Sequence, residues 1–240
     1  MTFEDALNEW FPTHYPEDQF IEETYRILNE AGFDPTNTIT CVDVCRDEIS
    51  QPVVTLIKQR WRETFNLSSL AGMFFAGKTA LRAVMHHVPI VYGRERHVYI
   101  AFTHIAIGPN GGMGLCRRIG RDEPSHACGA LSTFQQELAG GTLNLTMDNE
   151  DMEYSLLKMR LISEIPYGHV PDLLELTRIT YGVMRMELEK SLEEIIDKSR
   201  SHYALITGIQ IHGPNENYIW PGECYHMDDG IKVPIELGGV

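Results

Sequence analysis

HVYIAFTHIAIG, residues 97–108, decides how this chain is read. The stretch is largely apolar on both of its alternating faces, as expected of a central strand covered by helices on each side. A second buried strand, ALITGIQIHG (204–213), lies near the carboxyl end, and Thr38–Val44 is a third, short and rich in β-branched residues. Helical patterns separate them. Phe20, Ile21, Tyr25 and Leu28 share a face within 18–31 before Gly32 stops the helix. Ser50, with Pro52 just inside, starts another in which Val53, Ile57 and Trp61 recur at i, i+4 and i+8. Further helices are expected over 77–87, from Cys128-Gly129-Ala130 to Gly140, over 148–164 and over 180–199. The last of these turns Leu188, Leu192, Ile195 and Ile196 inward and carries a Glu194–Lys198 pair outside. Strands alternating with helices indicate an α/β protein with a mainly parallel central sheet flanked by helices. Such sheets bind ligands at the carboxyl ends of their strands.

No repeat, low-complexity tract or linker divides the 240 residues, so one domain is expected over 1–240, with a helical segment at about 1–36. The net charge of −14 argues against a nucleic-acid or anionic-membrane surface. The acidic start, with Glu4, Asp5 and Glu9, lacks the basic and apolar segments of a secretory signal, and the expected location is cytoplasmic. Five cysteines, an odd number, suggest buried, metal-bound or reactive thiols rather than a disulfide framework.

Three residues stand near element ends: Cys41 in CVDVCRDE, His104 in FTHIAIG and Cys128 in HACGAL. A helix amino terminus favours thiolate, the form a metal needs. Two thiolates and one imidazole would leave one corner of a tetrahedral zinc open, the mark of a catalytic site. A Cys or His inside an apolar run is ordinarily core filling, so spacing alone leaves both readings standing. Asp43 and Arg46 follow Cys41 closely, and a guanidinium there can hold the carboxylate in a fork beside the proposed metal. A loop salt bridge of little consequence is the plainer account of that pair.

The C-x-D-x-x-R run at Cys41, Asp43 and Arg46, with Cys128-Gly129-Ala130, resembles β-carbonic anhydrases. The likeness is closer to the LCIB (limiting-CO2-inducible B) family. Phe65-Asn66-Leu67, the Gly/Phe-rich segment 70–77, Met85-His86-His87-Val88-Pro89, His104-x-x-x-Gly108 and Cys128-Gly129-Ala130 look like its landmarks in order. The resemblance covers about 35–135 well and the remainder loosely, through Gly208-Ile209-Gln210. It implies a β-carbonic-anhydrase-like fold and a Zn2+ ion held by Cys41, His104 and Cys128, with Asp43 and Arg46 as an adjoining catalytic dyad.

The activity so implied is that of a carbonic anhydrase, a zinc lyase that hydrates CO2 reversibly to bicarbonate through a zinc-bound hydroxide. Two thiolate ligands donate more charge than histidines do, so weaker activity near neutral pH is expected. A homodimer or higher homo-oligomer is also implied, with no nucleic-acid or membrane partner. His126 is a rival ligand, because ordinary β-carbonic anhydrases carry H-x-x-C and this chain has His126-x-Cys128. Cys45 could face the same pocket, whereas Cys116 and Cys224 have no evident partner. Two other readings remain: a catalytically silent bicarbonate- or partner-binding protein, and a nucleophilic Cys41 or Cys128.

Overall fold

The computed structural model describes residues 1–238. Its elements run α1 (Phe3–Trp10), β1 (Tyr15–Pro16), α2 (Glu17–Glu30), β2 (Thr38–Asp43), α3 (Gln51–Trp61), β3 (Thr64–Asn66), α4 (Gly77–Met85), β4 (Ile90–Val91) and β5 (Arg94–Ala106). They continue with β6 (Leu115–Cys116), β7 (Ser125–His126), α5 (Gly129–Ala139), α6 (Met152–Ile162), α7 (Leu173–Ile195), β8 (Ser201–His212), β9 (Asn217–Asp228) and β10 (Ile231–Pro234). The strand read from residues 97–108 is β5, at the centre of a sheet ordered β1-β9-β8-β5-β2-β3.

The middle of this sheet is parallel, with β5 between β2 and β8 and β3 outside β2. The α/β expectation of a mainly parallel sheet flanked by helices therefore holds, with an antiparallel margin added. β9 runs against β8, β1 and β10 pair with β9, and β4 folds back on β5. β9 escapes a reading by alternation because Pro221 and Gly222 interrupt it and most of its residues are only half-buried. A bulge opposite Ile206–Gly208 bends its pairing. A Cβ on Gly208 would stand 2.4 Å from the Trp220 carbonyl oxygen, so the strands approach there only because this residue is glycine.

Strand alternation sends the two faces of the sheet into two cores. Val98, Ile100 and Phe102 of β5 join Val42 and Val44, packing against Phe20, Ile21 and Leu28 of α2 and Val53, Ile57 and Trp61 of α3. Tyr99 and Ala101 face the other way, with Cys41 and Cys45, toward Leu81 of α4, Phe134 of α5, Leu161 of α6 and Leu188 of α7. Both faces are covered, which accounts for the unbroken apolar run. The helix expected over 180–199 begins earlier, at Leu173, because the Asp172 side chain accepts the Glu175 amide at 2.8 Å and caps it. Among the described residues no helix is long and apolar enough to cross a membrane.

Glu17, in the first turn of α2, is buried against β8 and accepts a 2.6 Å hydrogen bond from the Gln210 amide. Burial pushes its carboxyl up to about 6, against the pull of hydrogen bonds from Gln210 and Asn217. The folded chain holds this proton up to about 6, while the unfolded chain releases it near 4.5. Folded protein thus binds more protons between those values, and stability falls as pH rises through them. Removing the group should flatten that slope. Chemical denaturation of the wild type and Glu17→Gln at pH 4.5 and pH 6.5 should show the variant gaining about 1.5 kcal/mol relative to wild type at the higher pH. An unchanged difference between the two proteins would contradict the account.

Candidate metal centre

The carboxyl ends of β2, β5 and β8 lie along one edge of the sheet, and the polar chemistry gathers there. Cys45 follows β2 by two residues and bridges to Ser69 in parallel fashion. His104 opens the His104-Ile105-Ala106 end of β5, and Cys128 is the extended N-cap residue of α5. One ligand atom from each of Cys45, His104 and Cys128 falls within 4.8 Å of the others, and all three residues are buried.

The cysteine differs from the one expected. Cys41 is paired in register with Tyr99, five residues before His104. At about 3.3 Å of rise per residue, that leaves it about 16 Å short along the strand. Its thiol is buried in the core and pushed up by burial alone. CVDVCRDE contains the C-x-D phrase twice, as Cys41-Val42-Asp43 and Cys45-Arg46-Asp47, and the second copy reaches the strand ends.

The Asp43–Arg46 pair also does not form. Asp43 is fully enclosed with neither carboxylate oxygen hydrogen-bonded, and burial, then the charges of Cys45 and Glu153, push its carboxyl well up. Arg46 turns outward, its side chain 63% exposed, and pairs with Glu153 of α6 at 2.7 Å. The arginine–carboxylate fork is instead made by Arg118, on the hairpin between β6 and β7, with Asp47. Arg118 Nη1 donates to Oδ1 and Nη2 to Oδ2, each at 2.7 Å. The Ser125 hydroxyl at 2.8 Å and the His126 carbonyl at 2.9 Å hold the same guanidinium, and Glu48 also takes Nη1. Arg118 and Asp47 side chains are only 14% and 13% exposed, so this fork is screened far less than Arg46–Glu153. Burial works to raise Asp47, yet Arg118 and the Ile49 amide keep its carboxyl below the ordinary value. Arg118 carries no local motif that sequence reasoning could find. His126 is exposed on β7 and contributes only its backbone carbonyl.

The two thiols of the group are free and lie beside each other. The neighbouring Cys128, then His104, pull Cys45 down, and the nearby Cys45, reinforced by burial, pushes Cys128 well up. The Asp47 amide also draws Cys45 down, while the Leu131 amide, in the first turn of α5, draws Cys128 the same way. One thiol thus already tends to thiolate, and the helix amino terminus favours the second.

His104 is held from behind. Its Nδ1 lies 3.1 Å from Nε2 of His212, at the end of β8, whose own Nδ1 lies 3.3 Å from the Asn217 side-chain oxygen. Burial, then the neighbouring His104, push His212 down to about 3, so its ring is neutral. His104 Nε2 is buried with no hydrogen-bond partner. An orphaned imidazole nitrogen beside two sulfurs fits a metal ion of the zinc type, and the donor set is one that zinc favours. A narrow cleft lined by Ile105, Gly114, Ala127, Leu131 and Leu173 borders His104 and Cys128. Its walls are mostly apolar.

Comparison with known proteins agrees with this fold. No curated protein matches the sequence. The crystal structure of the limiting CO2-inducible protein LCIB is 29% identical, with 97% of this chain and 98% of that chain covered and a TM-score of 0.80. The crystal structure of PtLCIB4, a homolog of LCIB, shares the fold at 20% identity, covering 96% of this chain and 98% of that one with a TM-score of 0.81. A family model described as limiting CO2-inducible proteins B/C β-carbonic anhydrases matches residues 14–228, and the chain belongs to that family.

Proposed function

We propose that this chain is a zinc carbonic anhydrase in which Cys45, His104 and Cys128 hold the ion and Asp47, fixed by Arg118, orients the reacting water. The observation that carries the reading is the convergence of two buried sulfurs and one unpartnered imidazole nitrogen, contributed by three separate elements. Zinc bound there would lower the pKa of a water from about 15.7 toward 7, supplying at neutral pH the nucleophile that CO2 requires. With three protein ligands a tetrahedral ion keeps one position for water.

The chain's own residues supply the rest. Asp47 is kept ionised beside Cys45, and the fork from Arg118 fixes the plane of its carboxylate. A carboxylate so held accepts a hydrogen bond and does not give one, which orients a water oxygen toward an incoming carbon atom. The apolar walls beside His104 and Cys128 suit a small gas without polar hydrogens and exclude competing water.

Metal analysis with stopped-flow hydration of CO2 tests the assignment. Wild type should carry about one zinc per chain, as expected of a three-ligand catalytic site, and should hydrate CO2. Cys45→Ser should lose both metal and activity, whereas Cys41→Ser should keep both. The opposite pattern in those two variants would restore Cys41 as the ligand. Zinc bound without any hydration would favour a silent binding protein.

The fork has its own signature. Arg118→Lys cannot make two parallel bonds to one carboxylate, so it should retain zinc and lose about 10²-fold in turnover. Arg46→Lys should change turnover little, since Arg46 pairs with Glu153 at the surface. Equal losses in the two variants would remove the Asp47–Arg118 fork from the mechanism.

A further inference from the structure

Behind His104 a line of buried polar groups runs across the sheet to a helix on its margin. His104 of β5 meets His212 of β8, and His212 meets Asn217 of β9. Gln210, the register partner of His104 on β8, donates to the carboxylate of Glu17 on α2 at 2.6 Å. His104, Gln210 and His212 are at most 4% exposed, and Glu17 is 5% exposed. Polar groups this deep in a sheet are retained only where each has something to hold.

The chemistry of each link sets the direction of the next. The Asn217 side-chain oxygen can only accept, so Nδ1 of His212 carries the hydrogen that faces it. A neutral ring then has its lone pair on Nε2, the atom 3.1 Å from His104 Nδ1. His104 must donate there. Its own lone pair is left on Nε2, the buried nitrogen with no protein partner. The rings of His104 and His212 meet edge to face at 85°, so His212 also fixes the plane of the ligand.

We propose that Asn217 and His212 are positioning residues, a relay that locks His104 in the Nδ1–H tautomer and points Nε2 at the metal. The inference rests on the reading that Cys45, His104 and Cys128 bind zinc, and it adds which residues outside that group prepare it. Outer partners of this kind typically change metal affinity by about 10- to 100-fold when lost.

Two measurements on the full-length chain test it. In metal-free wild type, nitrogen-15 shifts of the His104 ring should show the proton on Nδ1. In chelator competition, His212→Phe should bind zinc about 10- to 100-fold more weakly than wild type, with unchanged circular dichroism. His212→Gln, whose side-chain oxygen can accept the same hydrogen bond, should recover most of that affinity. A metal-free His104 protonated on Nε2 would overturn the relay, and so would a folded His212→Phe with wild-type affinity. Failure of wild type to take up zinc at all would instead sink the metal reading, and with it the relay's purpose.

Discussion

Parallel pairing of β2 with β5 determines which side chains can meet at the edge of the sheet. The register sets Cys41 beside Tyr99 and Asp43 beside Ala101. Carried two residues further, it brings Cys45 to the level of Thr103, next to His104. A shift of one residue would turn Cys45 to the α2/α3 side, and a shift of two would move it about 7 Å along the strand. The register is itself held by burial on both faces, since Val42, Val98 and Ile100 must enter one core while Cys41, Tyr99 and Ala101 enter the other. The geometry of the candidate ligands therefore depends on hydrophobic packing along both faces of the sheet, in a core that Cys45 and Cys128 themselves join.

Cys128 is delivered by a different device. It opens α5, where unpaired amides gather, and the Leu131 amide draws its thiol down. α5 is seated by Leu131 and Phe134 in the same core that receives Cys41 and Cys45. The hairpin leading into it carries Arg118, which bonds the carbonyls of His126 and Ala127 just before Cys128 and also clamps Asp47 just after Cys45. One guanidinium thus ties together the two chain segments that deliver the two thiols. Lysine, with a single ammonium head, has too few directed donors for all of those contacts.

Much of this was legible in the residues. The central strand, the helices on either side and the Cys128 helix entrance follow from apolar patterning and from cap chemistry, whereas the choice of His104 as a ligand came from the family resemblance. The choice between Cys41 and Cys45 was not legible, because CVDVCRDE offers the same C-x-D phrase at two positions four residues apart. Both cysteines fall on one face of a strand of period two, so alternation cannot separate them. Only the partner strand's register does. Arg118 was hidden for a different reason: its contacts with Asp47 span 71 residues, and its own neighbourhood is a charged hairpin without periodicity. Arg46 was the natural local choice and proved to face solvent. β9 was missed because its Pro221-Gly222 break and half-buried faces obscure the strand pattern.

That overlooked strand is what separates this site from a set of ligands merely brought close. A parallel sheet ending at β8 would leave His212 on an open edge, where water could satisfy His104 Nδ1 from any direction. β9 closes that edge by pairing antiparallel, from His212 opposite Asn217 onward, and places an amide oxygen beside His212. β1, paired to β9 in turn, leads straight into α2, where Glu17 accepts from Gln210 of β8. The antiparallel margin thus converts a solvated edge into enclosed polar contacts with fixed donors and acceptors. Hydrogen bonds gain strength in such a low-dielectric setting, and a misdirected one costs more there as well. The same enclosure that orients His104 leaves Glu17 buried and its carboxyl pushed up, so orientation of the ligand and strain on the acid arise from one arrangement of strands.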